Sequence, residues 1–282
     1  MKTIRIIPRL DIKGPNLVKG IHMEGLRVLG KPEEFADFYY QEGADELFYQ
    51  DVVASLYGRN SLHEIVSRTA KKSFIPLIVG GGIRNIDDIR STLRAGADKV
   101  CINTAAIKEP DLIRRASKKF GSSTIMVAIE AIRQQDGQYL AFIDNGRDYT
   151  GLDVLVWAKQ VEQLGAGEII ISSVDQEGTG KGYNIELTKS VSKAVSIPVI
   201  AHGGAGSVDD IYKVVKEGFA DAVAVASLLH YSTIETRRTV VGFESEGNTT
   251  FLESGKRYNQ FEYLRIEDIK TQLNLNKLSC RV

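Results

Sequence analysis

The sequence predicts a closed (β/α)8 barrel, an α/β fold of TIM-barrel type built from two similar half-barrels, and three observations carry that prediction. Short β-branched and apolar runs alternate with longer amphipathic ones, eight strand-like runs occur, and the second half of the chain echoes the first. The echo is sharpest where FIPLIVGGGIRN, Phe74 to Asn85, returns as SIPVIAHGGAG, Ser196 to Gly206. Each copy leads into a similar helical run, IDDIRSTLRAGAD and VDDIYKVVKEGFAD. EGADEL, Glu42 to Leu47, returns as LGAGEI, Leu164 to Ile169, and Ile6 to Ile12 is loosely repeated by Val127 to Ile132. A period above about a hundred residues is too long for a solenoid and suits two halves closing one structure. A doubly wound open sheet would show fewer strands and no such doubling.

In order, the strand and helix runs are Ile4 to Leu10 with Glu33 to Glu42, Glu46 to Gln50 with Leu62 to Lys72, and Leu77 to Val79 with Ile86 to Arg94. Lys99 to Ile102 with Pro110 to Lys119 completes the first half. Thr124 to Ile129, Glu168 to Ile171, Pro198 to Ala201 and Ala222 to Ala226 supply the second, each trailed by an amphipathic segment. Two segments depart from a bare barrel. Arg133 to Thr150 reads as a hairpin after the fifth strand, with Asp136-Gly137 as its turn, and is expected to form a flap over the site. Tyr231 to Glu262 is polar with scattered aromatics, and Gly247-Asn248 suggests another hairpin before a last helix at Ile266 to Leu273. It reads as an insertion, without an assignable role, in a single domain covering 1–282.

A chain of 282 residues, 43% hydrophobic and 26% charged, is long enough to bury one large α/β core. Its 36 basic residues balance its 36 acidic ones, so no nucleic-acid or membrane-surface partner is expected and any anion site must be local. The N-terminus MKTIRIIPRLD runs straight into a strand pattern, and no run reaches membrane-spanning length, so the expected location is the cytoplasm. Cys101 and Cys280 offer neither a disulfide framework nor metal-ligand spacing, and neither a metal nor a cofactor is expected.

In such barrels chemistry sits at the C-terminal strand ends. Asp11 ends the first strand and Glu130 the fifth, which sets two carboxylates across one mouth, where environment can divide them into acid and base. Glycine corners leave backbone N–H groups bare at helix N-termini, where an oxyanion is favoured. Gly81, Gly82, Asn103 and Thr104 end strands three and four, and Gly203, Gly204, Ala226 and Ser227 end strands seven and eight. Two opposed cradles imply a small ligand with a phosphate at each end. Lys19, Asp51, Ser172, Asp175 and Glu177 are further groups placed to contact its middle, or else ordinary loop polarity. At the opposite strand ends Arg5, Glu46, Lys99 and Glu168 form two cations and two anions, either a charged layer closing the barrel or a gate for a small polar molecule such as ammonia.

IIPRLDIKG with LVKG, EGADELFYQDVVAS, PLIVGGGIR, AGADKVCINTAA, FGSSTIMVAIEA, GAGEIIISSVDQEGT and IPVIAHGGAG together resemble the cyclase subunits of imidazole glycerol phosphate synthase, up to about His230. The resemblance implies a barrel paired at its N-terminal face with a glutaminase subunit that sends ammonia through it. At the upper face that ammonia helps split a bis-phosphorylated formimino ribotide into imidazole glycerol phosphate and aminoimidazole carboxamide ribotide, a carbon-nitrogen lyase step of histidine biosynthesis. It also implies acid and base roles for Asp11 and Glu130 and an ammonia gate at Arg5, Glu46, Lys99 and Glu168. Four positions depart from that pattern: Glu130 and Glu177 stand where Asp is usual, Arg9 replaces a small residue, and His202 a small polar one. Other readings are a paralogue channelling ammonia for amidination of a surface or flagellar sugar, a ribotide isomerase, and a non-catalytic scaffold that stimulates a glutaminase.

Overall fold

The structure, a computed structural model, describes residues 3–54, 62–237, 261 and 263–281. Eight parallel strands close a barrel: β1 (Arg5–Lys13), β4 (Leu47–Asp51), β5 (Leu77–Gly80), β6 (Lys99–Ile102), β7 (Ile125–Arg133), β10 (Glu168–Ser173), β11 (Val199–His202) and β12 (Ala222–Val225). β7 pairs with β10, and β12 returns to β1 through Arg5↔Ala222, Ile6↔Val223, Ile7↔Ala224 and Pro8↔Val225. Two hairpins rise from the rim: β2 (Asn16–Ile21) with β3 (Glu24–Gly30), and β8 (Tyr139–Ile143) with β9 (Asp148–Asp153). The outer helices are α1 (Pro32–Gln41), α2 (His63–Ala70), α3 (Ile86–Arg94), the short α4 (Thr104–Lys108), α5 (Asp111–Phe120), α6 (Val154–Gln163), α7 (Ile185–Ala194), α8 (Val208–Lys216), α9 (Ser227–Arg237) and α10 (Ile266–Leu275). None of the described helices is long and apolar enough to cross a membrane.

The barrel strands are short apolar runs because both of their faces are covered. LIVG of β5, VIAH of β11 and AVAV of β12 are buried at every position. Outward side chains pack under the helices, around Tyr39, Tyr49 and Trp157. Inward ones, including Ile7, Phe48, Ile78, Cys101, Met126, Ile170 and Ile200, fill the waist of the barrel. Helix starts follow local chemistry: Asn85 accepts from the Asp87 and Asp88 amides, and Ser207 forms a reciprocal capping box with Asp210.

The recurring Gly-Ala-Asp and Phe-Ala-Asp turns have a common structural job. Asp45 Oδ2 accepts from the Ile6 amide at 2.7 Å, Asp98 Oδ2 from the Leu77 amide at 2.9 Å, and Asp221 Oδ2 from the Val199 amide at 2.7 Å. Each aspartate precedes its own strand and secures the start of the strand before it. In the turn before β10 the equivalent residue is Gly167, which has no carboxylate to offer.

The strand-five segment forms a three-stranded meander with β7, turning once at Gln134–Gln138 and again at Asp144–Gly146. The β2–β3 hairpin was not legible in advance, since its turn is made by His22 and Met23 at φ 53° and 62° rather than by an Asn-Gly signal. Within the expected insertion, Tyr231 to Arg237 continue α9, while Gly247 and Asn248 lie outside the described residues. Asp98→Ala leaves the Leu77 amide without its acceptor and is expected to cost about 1–3 kcal/mol, read as a lower urea midpoint with an unchanged slope.

Candidate active site

Alternation along β1 turns Arg5, Ile7, Arg9 and Asp11 to the barrel interior, where Ile7 joins the apolar waist between two charged layers. Asp11 Oδ1 accepts from Arg9 Nε at 2.9 Å and Oδ2 from Lys19 Nζ at 3.0 Å. Burial works to raise its pKa, but the Arg9 and Lys19 cations outweigh burial and hold the carboxyl well below the usual range. Lys19, 2% exposed, also bonds Glu177 Oε1, and Glu177 Oε2 accepts from the Met23 amide at 3.0 Å. Burial disfavours the Lys19 charge, yet Glu177 and Asp11 raise its pKa overall. The β2–β3 hairpin is thereby fastened to the loop after β10, helped by the His22 amide donating to the Glu177 carbonyl at 2.9 Å.

Glu130, at the equivalent place on β7, has a different environment. It borders an open cavity of about 330 Å³, which Asp11 does not line. The Gly146 amide donates to its Oε2 at 2.8 Å, and burial pushes its pKa up to about 7 despite that bond. Asn103 also bonds this carboxylate, leaving its own Oδ1 buried without a partner.

The same cavity contains the first glycine corner, with Gly81 and Gly82 at φ 93° and 71°. A Cβ on Gly81 would lie 2.2 Å from the Asp51 carbonyl oxygen, so no side chain fits there. Asn103 and Thr104 share this space, and Thr104 Oγ1 meets Asp144 Oδ1 of the second hairpin at 3.2 Å. The opposite corner, Gly203 and Gly204 with Ala226 and Ser227, encloses only about 10 Å³. The corners end β5–β6 and β11–β12, strand pairs four places apart around the barrel. Of the remaining predicted contacts, Asp51 and Ser172 line the first corner's cavity and Asp175 does not: Asp51 Oδ1 accepts from the Val53 amide, Ser172 Oγ meets His202 Nδ1 at 3.0 Å, and Asp175 Oδ2 accepts from the Arg133 amide.

At the lower end Arg5, Glu46, Lys99 and Glu168 form a closed ring. Arg5 Nη1 donates to Glu46 at 2.7 Å and Nη2 to Glu168, while Lys99 Nζ reaches Glu46 at 3.0 Å and Glu168 at 3.2 Å. Burial tends to lower the Arg5 pKa, but Glu168 and Glu46 together raise it.

Two residues central to the mouth were not among the predicted contacts. Arg9 Nη1 donates to His202 Nδ1 at 3.2 Å, and its guanidinium lies 5.4 Å from the Phe48 ring centre. Arginine only donates, so that His202 nitrogen is unprotonated. Burial, then the Arg9 and Lys19 charges, press the His202 pKa well down and keep the ring neutral. The period-2 alternation of β1 was the available signal, since any inward Arg5 and Asp11 require Arg9 to face inward too.

A carboxyl group with its native pKa raised to about 7 from 4.5 binds more protons folded than unfolded between those values, so its contribution to stability falls as pH rises through that window. Glu130→Gln keeps an acceptor for Gly146 and removes the charge. Urea unfolding should find this variant more stable than the parent at pH 8, by up to about 3 kcal/mol, with the difference shrinking toward pH 5.

A profile of the histidine biosynthesis protein family matches residues 5–235. Among curated relatives, the imidazole glycerol phosphate synthase subunit HisF of Legionella pneumophila is 58% identical over 210 residues, 74% of this chain and 99% of that protein. The protein of the same name from Prochlorococcus marinus strain MIT 9215 is 51% identical over 232 residues, 82% of this chain and 91% of its own. With a profile match over most of its length and identity of this order across nearly the whole of those relatives, the chain belongs to the histidine biosynthesis protein family.

Proposed function

We propose that this protein is a HisF-type cyclase, a carbon-nitrogen lyase that uses ammonia to convert a bis-phosphorylated formimino ribotide into imidazole glycerol phosphate and aminoimidazole carboxamide ribotide. The observation that carries this reading is the 58% identity to a HisF subunit over 99% of that subunit, on a barrel whose mouth holds two opposed glycine corners. The two carboxylates have separated proton affinities, which is what acid and base roles require. Asp11 is held as a carboxylate at neutral pH by Arg9 and Lys19, and Glu130, near half-protonation, is suited to exchange a proton. The phosphates of the substrate are assigned to the corners at Gly81–Gly82 and Gly203–Gly204.

Ammonia is proposed to arrive from a glutaminase subunit docked below the ionic ring. Phe74, 81% exposed before β5, and Phe219, 47% exposed before β12, offer apolar contacts on that lower face. The Arg5 and Lys99 side chains are about one quarter and one fifth exposed, which leaves the ring reachable from below. A cytoplasmic location is part of the same reading.

Two observations favour a second reading, in which ammonia is passed to a different acceptor such as a sugar. Both Asp11 oxygens are engaged, and the second corner encloses only about 10 Å³, so the mouth is less open than a two-ended substrate requires. Purified protein with an ammonium salt should consume the ribotide, and Asp11→Asn should reduce that turnover at least about a hundredfold; absence of turnover by the parent would exclude the cyclase. Lys99→Ala should alter glutamine-dependent turnover in the presence of a glutaminase while sparing turnover with free ammonium. Equal effects on both would make the ring a purely structural layer.

A further inference from the structure

The two half-barrels fill the same place with different side chains. Strand register sets Gln50 of β4 beside Gly80 of β5 in the first half, and Ser172 of β10 beside His202 of β11 in the second. Gln50 is the bulky partner of the first pair, and a Cβ on Gly80 would collide with its Oε1. In the second pair the exchange runs the other way: Ser172 is short, and the histidine, 4% exposed, takes the room. Each bulky polar group ends beside a glycine corner. Gln50 lines the first cavity with Gly81 and Gly82, and His202 lines the opposite corner with Gly203, Gly204, Ala226 and Ser227.

The two nitrogens of His202 have different surroundings. Nδ1 meets Arg9 Nη1 at 3.2 Å and Ser172 Oγ at 3.0 Å, and both of those residues line the first cavity and not the corner. The opposite edge of the ring is therefore the part that borders Gly203 and Gly204. Because Nδ1 accepts from an arginine, the neutral imidazole carries its proton on Nε2, and that N–H has no acceptor among the described residues. Arg9 is itself held by Asp11 at 2.9 Å and by the Phe48 ring, so His202 cannot turn over without losing its bond to a fixed guanidinium. A charged donor on Nδ1 also polarises the ring and strengthens Nε2–H as a donor. The place it borders contains Ser227, the start of α9, where bare backbone N–H groups favour an anion.

We propose that His202 is a further substrate-contacting residue: its Nε2–H donates to the phosphate held at the Gly203–Gly204 corner, and Arg9, by occupying Nδ1, is the positioning residue that keeps the proton on that side of the ring. This inference rests on the reading of the mouth as an active site with one phosphate at each corner. It gives the second corner a side-chain donor in addition to its backbone amides.

Calorimetry on the full-length chain can follow binding of the bis-phosphorylated ribotide without ammonia or glutamine. His202→Asn, which keeps an acceptor for Arg9 but falls short of the corner, should weaken binding about tenfold or more. His202→Gln, whose amide reaches as far as Nε2, should stay within about threefold of the parent. With four histidines in the chain, a nitrogen-15 spectrum of histidine-labelled protein resolves His202, identified by its loss in His202→Gln. The parent should show the Nε2–H tautomer, with an Nε2 signal that shifts when the ribotide binds. Arg9→Met, which keeps the stem against Phe48, should let the Nδ1–H tautomer appear, a change that packing alone would not produce. Equal affinities in the parent and both His202 variants, equal weakening in Asn and Gln, or an Nε2 signal unmoved by bound ribotide overturns the role of His202. The parent spectrum decides the matter if the variants do not fold. A single unchanged tautomer in folded Arg9→Met overturns the positioning role of Arg9. Failure of the parent to bind the ribotide overturns the reading of the mouth, and the proposal with it.

Discussion

A charge that faces the inside of a closed barrel is largely withdrawn from bulk water, so it must meet an opposite charge or a hydrogen-bond partner close by. β1 carries two such cations, Arg5 and Arg9, separated by Ile7 and the apolar waist. Arg5 is met by Glu46 and Glu168, Arg9 by Asp11 and the neutral His202. That requirement sets the character of both ends of the barrel. Below, a second cation, Lys99, balances the two glutamates and closes a ring. Above, Lys19 enters from the first hairpin and is balanced in turn by Glu177. A hydrophobic substitute for a single member leaves its network with an unbalanced charge, which is costly where that charge is buried.

The internal doubling gives these networks a shared geometry. β1 and β7 are each nine residues long, and each feeds an antiparallel hairpin. Both hairpins cross to the second unit of the other half: that of β1 ties to the loop after β10 through His22, Met23 and Glu177, and that of β7 to the loop after β4, where the Asn145 amide donates to the Val52 carbonyl. The rim is thus closed by two arms related by half a turn of the barrel. Their chemical content differs, since the first arm delivers a lysine to Asp11 and the second a backbone amide to Glu130.

The parts of this arrangement legible in the sequence are those written in local pattern. Continuous apolar runs, glycine pairs that end them and capping residues such as Asn85 and Ser207 locate all eight barrel strands and both corners, although β1 and β7 run on past the expected ends at Leu10 and Ile129 to Lys13 and Arg133. The four members of the lower ring could be named because they begin strands whose parity is fixed. The Arg9–His202 contact was not legible, because the two residues are 193 apart in sequence and only the barrel register brings them together. The first hairpin escaped because His22 and Met23 adopt left-handed backbone conformations that their side chains do not advertise.

Asp11 and Glu130 show how one residue class acquires two proton affinities from a single architecture. Both are buried at strand ends, at 5% and 7% exposure, so desolvation alone would raise both. Glu130 follows that rule, whereas Asp11 is reversed by two cations. One of those, Arg9, belongs to the same strand and is held by packing against Phe48, but the other arrives on a hairpin. The proton affinity of Asp11 therefore depends in part on that hairpin being latched. Glu177 is the residue through which it is latched, because its carboxylate binds the hairpin twice, once at the Lys19 ammonium and once at the Met23 amide. A glutamate there reaches both groups from the loop after β10, so the electrostatics of the mouth and the closure of its rim are a single interaction.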